Sequence, residues 1–148
     1  MNLVKTALLI LFLTTGTSLL AQHYGTLEIT FNGIRSSKGD MALGVFKPSD
    51  RWPDKPFIEP AWDKKLMRNG TLVVRIDSLS YGTYAAIVLD DEDNNREMKM
   101  FMGMPREGFS FSNNPKMKMT APKYEDCTFG LNSPVHRIVM EVRYVGKR

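Results

Sequence analysis

Arg137-Ile-Val-Met-Glu-Val-Arg-Tyr144 is the stretch whose reading decides the fold. Ile138, Met140, Val142 and Tyr144 fall on one side of an extended chain, while Arg137, Glu141 and Arg143 fall on the other. That period of two predicts a half-buried strand, with one face on a core and one in water. Working outward, the same alternation returns near the start, where Leu27, Ile29 and Phe31 interleave with Thr26, Glu28 and Thr30 before Asn32-Gly33 ends the run. A second strand is expected over Met41–Phe46, after the turn signal Lys38-Gly39-Asp40. Asn69-Gly70 reads as a hairpin turn between a short Lys65–Arg68 arm and Thr71–Asp77. Thr83–Leu89 is small and apolar throughout, the composition of a central strand covered on both faces. Tyr124–Leu131 completes the set.

Helical periodicity is missing from this pattern. Trp52-Pro-Asp-Lys-Pro56 to Pro60-Ala-Trp62 holds three prolines and reads as an ordered loop. Gly82 can make a tight turn, and Tyr84 behind it can bury its ring while its hydroxyl bonds back to the corner. About seven short strands with turn signals at roughly ten-residue spacing predict an all-β fold, an antiparallel β-sandwich.

The amino terminus is of a different kind. Lys5 in a polar head, the apolar run Ala7–Leu13 and Leu19-Leu-Ala21 form a secretory signal peptide over residues 1–21, too short to span a bilayer. Its removal leaves residues 22–148 as one domain, exported to the periplasm or the extracellular space, with no further transmembrane segment. The formal charge falls from +4 to +3 with the loss of Lys5, and the remaining Lys and Arg are scattered among acids. Nucleic acid is therefore not an expected partner. Cys127 is the single cysteine, so no internal disulfide can form and stability must come from the core.

Leu79-x-x-Gly82-x-Tyr84, Asp91-Glu-Asp-Asn-Asn95, the run Gly103-x-Pro105-x-Glu107-Gly108-Phe109-x-Phe111-Ser112-Asn113-Asn114, and Ala121-Pro-Lys-Tyr-Glu-Asp-Cys-Thr-Phe129 follow one another in the chain. In that order they resemble the uncharacterised secreted family called domain of unknown function 2141, over nearly all of the mature chain. The resemblance implies an exported β-sandwich of immunoglobulin or transthyretin-like type, and it implies no established activity.

Two ligand chemistries are written into and around that run. Asp91, Asp93, Asn95 and Glu97 carry oxygen side chains at every second residue, the front of a Ca²⁺ loop, and Ca²⁺ needs six to eight converging oxygens. The similar family pattern has glycines after Asp93 and Asn95, where this chain has Asn94 and Arg96, and Lys99 adds a second positive charge. A solvated acidic turn bonded to its own backbone accounts for the same residues at less cost. Met98, Met100, Met102 and Met104 alternate, as do Met117 and Met119, which is a candidate soft-sulfur set for Cu(I) with His23, His136 or Cys127. Methionines packing a loop onto the sandwich are the simpler account.

Catalytic constellations are not recognisable. There is no nucleophile elbow or phosphate loop, and neither histidine neighbours Cys127 in sequence. The expectation is a non-catalytic module that binds a protein or glycan at its loop end. Gly103, Pro105, Glu107, Gly108, Phe109, Phe111, Ser112 and Asn113 mark that loop. Phe109 and Phe111 are expected to anchor it, and Glu107 to be satisfied by backbone N–H groups. Trp52 and Trp62, if exposed together, would offer a stacking platform.

Overall fold

The computed structural model describes residues 23–116, 118 and 120–145. The expected signal peptide, Met117 and Met119 lie outside the described residues. The described residues are all-β: among them are ten strands and two single 3₁₀ turns, and no helix long and apolar enough to cross a membrane. One sheet contains β1 (Tyr24–Asn32), β4 (Leu72–Ser80) and β10 (Val135–Glu141) in the order β10-β1-β4. A second runs β3 (Ala61–Asp63), β2 (Asp40–Phe46), β5 (Gly82–Asp91), β8 (Gly108–Phe111). β9 (Phe129–Leu131) pairs with the beginning of β5, and β6 (Met100–Phe101) with β7 (Met104–Pro105) forms a separate hairpin.

One pairing departs from the antiparallel expectation. β1 and β10 run parallel, Ile29 beside Ile138 and Phe31 beside Met140. Alternation of apolar residues is identical in parallel and antiparallel strands, so the pattern could set the inward face but not the direction. The face is as expected: Leu27, Ile29, Phe31, Met140 and Val142 are buried.

Two predicted strands are also shorter than expected. The Asn69-Gly70 turn forms, with φ of 49° and 75° and Arg68 and Thr71 exchanging backbone hydrogen bonds of 2.8 and 2.9 Å. Its first arm, however, is a 3₁₀ turn at Lys64–Leu66 capped by the Asp63 carboxylate, and β4 pairs with β1 instead. Tyr124–Cys127 likewise coils into a 3₁₀ turn, leaving only Phe129–Leu131 as strand. Alternation of apolar residues registers neither the Asp63 cap on the first turn nor the Asp126 N–H to Lys123 carbonyl bond that closes the second.

Tyr84 makes the expected corner: its ring is buried and its hydroxyl donates to the Ser80 carbonyl at 2.7 Å. From there β5 is covered on both faces. Tyr84, Ala86 and Val88 join Leu27, Ile29, Phe31, Leu43 and Met140 in a cluster drawn from both sheets. Ala85 joins Phe109, Phe111 and Cys127 in a second cluster, with Ile87 packed against it. Each fully buried Leu, Ile or Phe contributes about 1.5–3 kcal/mol over its exposed state, so the larger cluster dominates stability.

Candidate functional site

The far end of β5 places two aspartates on opposite faces. Asp90 continues the inward row of Tyr84, Ala86 and Val88, and Asp91 continues the outward row of Ala85, Ile87 and Leu89. Both are fully buried.

Asp90 is met by two side chains from distant parts of the sequence. Lys64, delivered by the 3₁₀ turn after β3 and itself fully buried, places its ammonium against Oδ1. Tyr144, just past β10, donates its hydroxyl to Oδ2. Gly108 stands opposite Asp90 in the β5–β8 ladder, and a Cβ there would overlap the Tyr144 ring, so glycine is what lets the phenol reach the carboxylate. Burial, reinforced by the Asp90 carboxylate, pushes the Tyr144 phenol well above its ordinary range. The Arg35 backbone N–H donates to the same phenol oxygen at 3.0 Å, while its guanidinium lies 4.3 Å from the ring centre. That guanidinium grips Glu92 with two bonds of 2.9 Å, and this hydrogen bonding, helped by the Ser36 hydroxyl, lowers the Glu92 carboxyl to about 2 against burial.

Asp91 is satisfied in another way. Its two oxygens accept the backbone N–H groups of Asn95 at 3.1 Å and Arg96 at 3.0 Å. Asn95 Oδ1 accepts the N–H of Glu97 at 2.7 Å, and Asn94 and Arg96 take the left-handed φ values of 58° and 63° that the turn requires. Glu107, also buried, closes the loop by accepting from Glu92 N and Lys99 N, each at 3.0 Å. The expected backbone satisfaction of Glu107 is therefore what the loop contains.

Of the Ca²⁺ candidates, Asp91 and Asp93 come together, with carboxylate oxygens within 4.8 Å of each other and of Glu107. Glu97 is outside this group, and the Asn95 amide oxygen is engaged by the Glu97 N–H. Positive charge is already in place, with Lys99 Nζ 3.5 Å from Asp93 and Arg96 4.0 Å from Asp91. The loop thus supplies two cations of its own to the cluster.

The methionines divide. A groove of about 770 Å³ is lined by Ile87, Leu89, Met98, Met100, Met104 and Phe109, among others. Met98 packs against the second core cluster, and the β6–β7 hairpin turns at Met102-Gly103, with φ of 49° and 76°, holding Met102 84% exposed. No histidine or cysteine lines the groove among the described residues. His23 stacks on Tyr81 and His136 on Phe129, while Cys127 is buried with its thiol pushed up to about 11 by desolvation. A buried, protonated thiol of that kind packs as a small apolar group.

The loop signature is mostly internal. Ser112 Oγ accepts from Ala86 N at 2.8 Å and donates to the Cys127 carbonyl at 2.5 Å, and the Asn113 amide donates to the Thr128 carbonyl at 2.6 Å. Gly108 to Ser112 are all buried, so only Gly103, Pro105 and the edges of Phe109 and Phe111 reach the groove. Trp52 sits among Phe46, Phe111 and Tyr124 with its N–H given to the Pro122 carbonyl at 2.9 Å, and Trp62 packs against Phe31. They form no shared platform.

Sequence reasoning missed Lys64 and Asp90. Lys64 lies in an ordinary charged segment, and Asp90 directly precedes the acidic run, although its parity with Val88 assigns it to the inner face. Tyr144 had been placed inward by its own alternation. A family model described as an uncharacterised protein conserved in bacteria, DUF2141, matches residues 29–138. Neither the curated proteins nor the solved structures returned a match.

Proposed function

The chain belongs to the uncharacterised bacterial family DUF2141, and on that premise we propose that it is an exported, non-catalytic binding module. The two sheets sharing one core support a β-sandwich of immunoglobulin or transthyretin-like type. Its ligand is an extended segment of a partner protein that lays apolar side chains into the groove beneath the β6–β7 hairpin. One observation carries this reading. Met100, Phe101, Met102 and Met104 are each at least 47% exposed on a single hairpin, beside a groove whose walls are apolar. Contiguous exposed apolar surface marks interaction sites, and methionine adapts its shape to more than one partner side chain. Lys99 and Arg106 flank the hairpin, the latter with its guanidinium 5.3 Å from the Phe101 ring centre, so the rim is polar and basic. A protein segment fits this better than a glycan, because the tryptophans that would stack on a sugar are each half-buried against a different core cluster and share no face.

The test is selection of an extended-peptide library on the mature chain, repeated on a Met100→Ser, Met104→Ser double variant. The expected peptides carry alternate apolar residues and bind the variant at least about tenfold more weakly, a difference of roughly 1.4 kcal/mol. Equal binding to both proteins would sink the groove as the site. Oligosaccharide binding that the variant leaves untouched would move the function to a glycan. Export is checked separately, by a mature chain beginning near Gln22 in the periplasmic or extracellular fraction.

A second reading rests on the convergence of Asp91, Asp93 and Glu107 within 4.8 Å, which supports a Ca²⁺ site. It is the weaker reading, since the buried carboxylates already hold backbone N–H groups and Lys99 already pairs with Asp93.

A further inference from the structure

The contact between Lys64 and Asp90 is chemically unlike the other ion pairs of the molecule. Among the described residues every other pair has at least one partner in contact with water, whereas both of these side chains are fully excluded from it. An ammonium carries three N–H donors, and among the described residues that of Lys64 has one acceptor, Asp90 Oδ1. A buried ammonium left with unused donors is a costly species. Its neutral amine is a nucleophile, and the atom it faces belongs to a carboxyl group whose second oxygen is held by a hydroxyl donor.

We infer that Lys64 and Asp90 condense within the folded chain to an isopeptide bond, joining Lys64 Nζ to Asp90 Cγ. The starting pair is an ammonium and a carboxylate. One proton passes from Nζ to Oδ1, leaving an amine beside a neutral carboxyl. Nζ then attacks Cγ, the C–N bond forms, and negative charge develops on Oδ2, where the Tyr144 hydroxyl donates. A second proton moves from Nζ to Oδ1, the Cγ–Oδ1 bond breaks, and one water leaves. Nζ keeps a single hydrogen as an amide, and Oδ2 becomes the amide carbonyl. No oxidant, reductant or further reactant enters.

Tyr144 is the catalytic residue of this step, since it touches a reacting oxygen. The Arg35 N–H fixes the phenol's orientation, and Gly108 leaves room for its ring. The product would tie the 3₁₀ turn after β3 to the middle strand β5 across β2, bridging a separation of 26 residues. Edge strand β3, only three residues long, would be fastened covalently to the sheet.

Denaturing intact-mass measurement on the purified chain tests this directly. The expected chain is lighter by the mass of one water, and digestion yields a branched peptide joining the Lys64 and Asp90 segments. Cyclisation of an amino-terminal Gln22 would release ammonia rather than water and is thereby distinguished. Lys64→Arg and Asp90→Ala chains should have their full mass. Tyr144→Phe should slow bond formation roughly a hundredfold, the cost of losing one donor to a developing oxyanion. A folded wild-type chain that keeps its full mass after prolonged incubation overturns the inference, as does a water loss mapped to other residues. An unchanged rate in Tyr144→Phe would remove the phenol from the reaction.

Discussion

Asp90 and Asp91 are consecutive, equally buried and oppositely resolved. The first faces the core between the sheets and is met by side chains recruited from residues 64 and 144, while the second faces outward and is met by backbone N–H groups four and five residues further on. Asp90 thus ties distant parts of the chain together, and Asp91 shapes only its own loop. The difference shows why an acidic run is a poor indicator of a cation site. A carboxylate on a strand end can be consumed by the turn that follows it, and nothing in the residue type distinguishes that fate from metal ligation.

The comparison breaks most sharply at Lys64. Measured against wild-type chain that still has its full mass, Lys64→Ala leaves Asp90 buried without its cation, and the expected loss is about 3–5 kcal/mol of unfolding free energy, read from the denaturant midpoint. Replacing Lys64 and Asp90 together by leucine should recover part of that loss, because the penalty lies in the orphaned charge. If the single and double variants were equally destabilised, the pair would matter for its packing rather than its charge.

Asp91→Ala should cost less, about 1–3 kcal/mol, since two loop N–H groups lose their acceptor but can reach water once the loop loosens. The same position separates the two readings of the acidic cluster. With Ca²⁺ in excess or with chelator, the wild-type melting temperature is expected to stay where it is. A bound ion at a hundred times its Kd would add about 2.7 kcal/mol, and a rise of that size would replace the backbone-capped turn with a metal site.

How far this contrast could be read in advance depends on which forces are local. The inward faces of β1 and β10 follow from period-two alternation, the double cover of β5 from its small apolar composition, and the Tyr84 corner and the backbone capping of Glu107 from short-range geometry; all were legible. The parallel direction of β10 was not, because it depends on the path of the chain between Leu131 and Val135 rather than on the strand itself. The Lys64–Asp90–Tyr144 contact was not either, since its members are separated by 26 and 54 residues and meet only once the sheets assemble. Gly108 could be recognised as a signature residue, yet its reason, room for the Tyr144 ring, exists only in three dimensions.

Acid should loosen the rim that joins the two aspartates. Glu92 has its carboxyl lowered from 4.5 to about 2, chiefly by the Arg35 hydrogen bond. A carboxyl whose pKa is lower in the folded state contributes stability that is complete above 4.5 and drains away as pH falls toward about 2. With a quarter of each side chain exposed, the contribution after solvent screening is about 1–2 kcal/mol. Arg35→Ala should flatten the stability profile in that window, and an unchanged slope would assign acid sensitivity to other carboxylates.

The smallest expected effect on folding belongs to the hairpin beyond the outward aspartate. Met100 and Met102 are 53% and 84% exposed, so Met100→Ser with Met102→Ser removes little buried area and should change the unfolding free energy by under about 0.5 kcal/mol. Serine at these positions keeps the Met102-Gly103 turn, whose geometry comes from the backbone rather than the thioether. A variant of unchanged stability that no longer binds apolar peptides would show that the hairpin retains its methionines for contact. If the pair instead lowered stability by more than about 1 kcal/mol, the methionines would be packing the groove shut, and the outer face of β5 would be as architectural as the inner one.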